Sequence, residues 1–182
     1  MTKKELRAYI MEKKRALTEH QIVTASEKLC EQFLAHPAYQ KAKTIYGYLS
    51  YNQEVRTMTI LKAAQADGKR IAVPKIMGDD MIFIWMDDLS KVGKGFRGIP
   101  EPIDDGPEAL DPDALVMMPG LAFDPHGGRC GYGRGFYDKY LEKHPGHPTM
   151  AMCFDFQVFD RLETDEHDIP VDYLLTQEVG EP

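Results

Sequence analysis

Apolar residues recur at helical spacing near the start of the chain, where Leu6, Tyr9, Ile10 and Leu17 stand among many charges. This predicts an exposed amphipathic helix over residues 3–17. Thr18 with Gln21 has the form of a capping box, so a second helix is expected over 19–35, ending before Pro37. The period then changes. Residues 44–49 are rich in strand formers, 57–65 read as a helix, Asp67-Gly68 marks a break, and 70–74 read as a strand. Further strands are expected at 81–85, 114–118, 149–153 and 173–176, with a helix from Phe136 to Glu142. Residues 100–112, rich in proline, glycine and acid, read as a loop. The alternation predicts an α/β fold: one domain over 1–182, with a largely parallel, Rossmann-like sheet flanked by helices and an N-terminal helical pair.

The run Ala114 to Met118 leads through Pro119 into a basic, glycine-rich stretch, Gly128-Arg129-Cys130-Gly131-Tyr132-Gly133-Arg134-Gly135-Phe136-Tyr137-Asp138. In an open α/β sheet, ligands gather beyond the carboxyl ends of the strands, which is where this stretch falls. Glycines let backbone N–H groups approach an anion, two arginines add charge, and the helix from Phe136 would aim its N-terminus at it. A phosphate cradle is the reading that results; a glycine-rich surface turn is the plain alternative. Neither the Walker pattern nor the dinucleotide G-x-G-x-x-G occurs. Asp138 has two readings, a cap favoured by the helix dipole and a ligand for Mg²⁺ beside bound phosphates.

Composition narrows the partners. A chain of 182 residues, 43% hydrophobic, is long enough to bury one sizeable core. The net charge of −7 disfavours a general nucleic-acid binder, so an anion must be held locally. Cys30, Cys130 and Cys153 are odd in number and far apart, which supports neither a disulfide framework nor a zinc site. No apolar run suits a leader or a membrane span, and a soluble protein of the reducing cytoplasm is expected. His144 and His147, separated by Pro145-Gly146, read as a surface turn, and the pairs Asp79-Asp80, Asp87-Asp88 and Asp104-Asp105 as turn residues.

The stretch 119–124 followed by 128–138 resembles the signature of the 5-formyltetrahydrofolate cyclo-ligase (5,10-methenyltetrahydrofolate synthetase) family. Other landmarks agree in order: the helix beginning at Lys3 to Arg7, Glu54-Val55 after the first strand, Gly98-Ile99-Pro100-Glu101-Pro102, and His167-Asp168 through Thr176. The resemblance spans nearly the whole chain. Cys130 stands where leucine is usual and Phe136 where tyrosine is usual, departures confined to the packing of the cradle.

The resemblance implies ATP-dependent, Mg²⁺-requiring cyclisation of 5-formyltetrahydrofolate, with or without a polyglutamate tail, by a monomer free of nucleic acid and membrane partners. It implies that ATP is held by Lys3, Lys4, Glu5, Leu6 and Arg7 together with Gly128, Arg129, Cys130, Gly131, Tyr132, Gly133, Arg134, Gly135, Phe136 and Tyr137. The folate falls to Leu49, Glu54, Met118 and Tyr137, catalysis to Glu54, Arg129 and Tyr137, and the metal to Asp138. Read as residues alone, Lys3 and Arg7 share a helix face, Lys4, Lys13 and Lys14 are solvated, and Glu54 is an ordinary loop glutamate. A non-catalytic nucleotide- or RNA-binding relative, or a different phosphotransferase, stays open on the same scaffold.

Overall fold

The computed structural model describes residues 1–103 and 106–182, so the Asp104-Asp105 pair lies outside the described residues. Helices α1 (Lys3–Arg15), α2 (Glu19–Ala35) and α3 (Pro37–Lys41) lead into strand β1 (Thr44–Tyr46), helix α4 (Met58–Ala66), β2 (Arg70–Met77) and β3 (Asp80–Trp85). Then come β4 (Val92–Lys94), β5 (Pro100–Pro102), β6 (Leu115–Met118), β7 (Ala122–Phe123), β8 (Arg129–Cys130), α5 (Phe136–Lys143), β9 (Thr149–Phe154) and β10 (Tyr173–Gln177).

Among the described residues, six strands form the main sheet in the order β10-β9-β6-β1-β2-β3. Neighbours run parallel except β3, which folds back against β2. The α/β, largely parallel sheet expected from the alternation is therefore what the chain builds. Strand parity sorts its two faces. Ile45, Leu115, Met117, Met150 and Met152 pack under α2 and α4 against Leu29, Phe33, Ile60 and Leu61. Their neighbours Tyr46, Val116, Met118, Ala151 and Cys153 point the other way, towards Phe83 and the Tyr140 and Leu141 of α5.

The sheet order places the site. From β1 the chain moves to β2 on one side, while β6 lies on the other, so the loops leaving the carboxyl ends of β1 and β6 part and open a crevice. Helix α1 closes over it, burying Leu6 and Ile10 against Leu121, Ala122 and Cys130 of the β7–β8 hairpin.

Several local expectations are corrected. The first strand stops at Tyr46 instead of running to Leu49, because the carbonyl of Tyr48 accepts from the Thr57 hydroxyl at 2.5 Å and not from a neighbouring strand. Helix α2 does end at Ala35, before Pro37 as expected, but Pro37 then opens a further short helix, α3, where the His36 ring accepts from the Ala38 N–H. Within the expected loop 100–112, Pro100–Pro102 pairs with Val92–Lys94 as a hairpin. His147 is buried, its Nδ1 2.9 Å from the carbonyl of Ala114, and it ties the β9 approach to the start of β6. Asp80 opens β3 and binds Lys143 at 2.9 Å, leaving Gly78-Asp79 as the turn. No described helix is long and apolar enough to cross a membrane.

Candidate active site

A cleft of about 820 Å³ runs between α1, the loop after β1, the β4–β5 hairpin and the glycine-rich stretch before α5. Each wall follows from local sequence. Gly133 and Gly135 have φ of 107° and 70°, conformations that side-chain-bearing residues resist, and they turn the chain sharply into α5. Gly135 is the N-cap, and no side chain caps α5 among the described residues, so its first N–H groups remain open to a ligand. Gly128 is required for another reason: a Cβ there would collide with the Asp124 carboxylate. That carboxylate closes the hairpin by accepting from the N–H groups of His126, Gly128 and Leu162, each at 2.8 Å.

Arg129 is the pivot of the anionic end. Its guanidinium is almost wholly buried, donates to the carbonyl of Pro119 at 2.9 Å and pairs with Asp138 at 3.2 Å. Asp138 also accepts from the N–H of Ile169 at 3.0 Å, which brings Asp168 to the same end of the cleft. Lys3 reaches Asp168 at 2.8 Å and Arg7 donates to the carbonyl of Gly131 at 2.9 Å, so α1 lies directly over the glycine-rich stretch. The hydrogen bond to Asp168 is the main reason the Lys3 ammonium titrates above its ordinary range. Two buried polar atoms in this region, Arg129 Nε and Tyr137 Oη, have no hydrogen-bond partner among the described residues. Buried donors left unsatisfied are expensive, and both belong to residues lining the cleft.

The opposite end is built round Glu54. One carboxylate oxygen accepts from the Tyr51 N–H at 2.7 Å and the other from the Tyr132 hydroxyl at 3.0 Å. Burial pushes its pKa above the usual carboxylate range, opposed by these hydrogen bonds and by Lys14. Burial and the charge of Glu54 also raise the Tyr137 phenol well above its ordinary value, so it is a proton donor and not a phenolate.

A model of the 5-formyltetrahydrofolate cyclo-ligase family matches residues 1–177. This chain belongs to that family. Among cyclo-ligases, the mouse (Mus musculus) 5-formyltetrahydrofolate cyclo-ligase is 33% identical, over 97% of this chain and 94% of its own. The Escherichia coli protein of the same name is 27% identical, over 92% of this chain and 96% of its own. The NMR structure of the Aquifex aeolicus 5,10-methenyltetrahydrofolate synthetase superposes with a TM-score of 0.82 at 34% identity, covering 97% of this chain and 90% of that one.

On the cyclo-ligase scaffold the expected site residues do not all converge. Lys3, Arg7, Leu49, Glu54 and the stretch from Arg129 to Asp138 line the cleft. Lys4 and Glu5 face solvent, Leu6 is core beneath α1, and Gly128 faces the neighbouring hollow behind Arg129. Met118 is also kept out of the cleft: strand alternation turns it into the core with Tyr46 and Phe83. Lys14, expected in solvent, is buried in the cleft wall instead. Phe96, on the turn between β4 and β5, meets Phe136 edge-on at 5.9 Å and lies under the Arg134 guanidinium at 5.3 Å. Of the other cleft-lining residues, Asp168 belongs to a landmark of the resemblance, whereas Phe96 carried no local signal and only the spacing 3, 7, 11, 14 along α1 marked Lys14 as cleft-facing.

Proposed function

We propose that this chain catalyses ATP-dependent closure of 5-formyltetrahydrofolate to 5,10-methenyltetrahydrofolate, with release of ADP and phosphate. The observation that carries the reading is the two-ended cleft. One end offers cations, open helix N–H groups and unsatisfied donors suited to phosphates, and the other a half-buried carboxylate among aromatic rings suited to a flat, N–H-bearing heterocycle.

The chemistry needs both ends. A formamide oxygen is a poor leaving group, so its phosphorylation by ATP, with ADP departing, makes an iminium phosphate whose carbon is electrophilic. The second folate nitrogen then forms a bond to that carbon, loses its proton, and the C–O bond breaks as phosphate leaves. Positioning and charge neutralisation supply most of the acceleration in such transfers. In this reading Arg7, Arg134 and the N–H groups of 131–137 hold the nucleotide. The free Nε of Arg129 and the hydroxyl of Tyr137 serve the oxygens that gain charge during transfer. Glu54 holds the pterin and Leu49 packs beside it.

For magnesium, the described residues contain no cluster of three metal-binding side chains. The carboxylates of Asp138 and Asp168 nevertheless line one end of the cleft, each presently held by a cation. Magnesium keeps waters and takes one or two carboxylates beside phosphate oxygens, so this donor set suits a metal that arrives with ATP. Asp138, with Asp168, would hold it, and when bound it would neutralise phosphate charge. A single-domain monomer of the cytoplasm, independent of nucleic acid and membrane and accepting a polyglutamate tail at the open cleft mouth, completes the proposal.

The test is to mix protein, 5-formyltetrahydrofolate and MgATP and follow the near-ultraviolet absorbance of the methenyl product. Nucleotide-dependent product is expected. Equal product without nucleotide, or nucleotide binding with no product, overturns the reading.

A further inference from the structure

Lys14 is only 5% exposed, yet it lines the cleft. It belongs to a stripe on α1, Lys3, Arg7, Met11 and Lys14, that faces the cleft along its length, with Arg15 beside it at the helix end. Lys3 and Arg7 serve the end where Asp168 and Gly131 lie. Lys14 stands about 16 Å along the helix axis from Lys3 and about 10 Å from Arg7, at the Glu54 end. Burial lowers the pKa of its ammonium and the charge of Glu54 opposes that, while among the described residues no hydrogen bond or ion pair engages it. A buried ammonium with three unused donors is costly unless a ligand completes it.

The neighbouring carboxylate limits what that ligand is. A phosphate at this end would meet the charge of Glu54 at close range, whereas a neutral acceptor meets no such repulsion. Lys14 only donates and ionised Glu54 only accepts, and the two face one space without touching. Their complement is a ring edge on which a carbonyl oxygen adjoins an N–H, the lactam of a pterin.

We infer that Lys14 and Glu54 together read the lactam edge of the folate's pterin ring, the Lys14 ammonium donating to the ring carbonyl oxygen while Glu54 accepts from the adjoining N–H groups. This rests on the folate reading above and deepens it. Lys14 becomes a specificity-determining residue: a pteridine bearing an amino group in place of that carbonyl presents donors to a donor.

The experiment compares binding of 5-formyltetrahydrofolate and its 4-amino counterpart, without ATP, by calorimetry on the wild type, Lys14→Met and Lys14→Arg, with KM for MgATP measured alongside. The wild type should prefer the 4-oxo ligand by about tenfold or more, as sites built round a hydrogen bond do. Lys14→Met, which keeps the buried aliphatic stem, should lose that preference while the KM for MgATP stays within about twofold. Lys14→Arg, which keeps the charge, should retain part of it. Absence of a 4-oxo preference in the wild type overturns the inference, whatever the variants do. So does equal weakening of both pteridines in Lys14→Met, which would mean Lys14 acts only through Glu54 or through packing, and so does a change confined to KM for MgATP. A wild type that neither binds nor turns over 5-formyltetrahydrofolate fails at the earlier step, bringing down the folate reading and this inference with it.

Discussion

The Tyr132 hydroxyl donates to Glu54 across 3.0 Å, and through this bond the phosphate-facing stretch before α5 touches the loop that follows β1. Tyr132 is 49% exposed, so the contact bridges the open mouth of the cleft and is not part of the core. Occupancy of one end is thereby coupled to the geometry of the other, since a folate that takes Glu54 must share it with Tyr132 or displace it.

Tyr132→Phe should shift the acid limb of the kcat/KM profile for the folate to higher pH. The sign follows from the site: burial already raises the Glu54 pKa and the Tyr132 hydrogen bond opposes that rise, so deleting the bond lets it climb further. Initial rates across a pH series check this, and an unmoved limb refutes the coupling.

Glu54→Gln should raise the barrier for the folate by about 1.5–3 kcal/mol, the range for a charge-assisted hydrogen bond, with ATP binding nearly unchanged. The comparison is kcat/KM for 5-formyltetrahydrofolate against the dissociation constant for MgATP in a variant shown to be folded. A near-normal kcat/KM contradicts the role given to Glu54.

Asp138→Asn tests the metal. The amide still offers the Ile169 N–H an acceptor but leaves the buried Arg129 without its ion-pair partner. Breaking such a pair costs about 3–5 kcal/mol, so the melting temperature should fall. If Asp138 also holds magnesium, the concentration of Mg²⁺ needed for half-maximal activity should rise. A fall in stability with superimposable Mg²⁺ titrations would leave Asp138 as a partner of Arg129 alone.

Arg7→Met keeps length and apolar stem while removing the bond to the Gly131 carbonyl and a cation over the phosphate end. KM for ATP should rise about tenfold or more, while the folate affinity measured without ATP should hold. Equal losses for both ligands point to a general displacement of α1.

Acid stability should depend on Asp124. Burial alone would raise its pKa, but three backbone N–H donors outweigh burial and hold it below the usual value. A group depressed in the folded state contributes stability that is full above its unfolded pKa, near 3.9, and is lost as pH falls through its folded value. Chemical denaturation at pH 7 and at about pH 3 should therefore show Asp124→Asn costing more at pH 7 than at the acid end. A pH-independent difference excludes this linkage.

What the sequence determined by itself is what depends on neighbours along the chain. The capping box at Thr18 and Gln21, the apolar runs that become β6 and β9, and the glycines that turn into α5 are short-range physics, and each was legible. Motif resemblance added Glu54, which no local rule marks as special. Where elements end was less legible, because tertiary partners decide it: β1 stops when Thr57 satisfies Tyr48, and β5 exists only because β4 lies beside it. The cleft is a tertiary object altogether. Whether a lysine on an amphipathic helix is solvated or buried depends on what covers that face, which is why Lys14 read as solvent-facing and lies instead across from Glu54. The same holds for Asp138, whose charge the chain supplies but whose partners, Arg129 and the Ile169 N–H, are brought by the folding of β8 and of the segment before β10. Local energies choose helix, strand and turn; long-range packing chooses which charges meet, because electrostatic and hydrogen-bond energies depend on distance in space and not on separation in sequence.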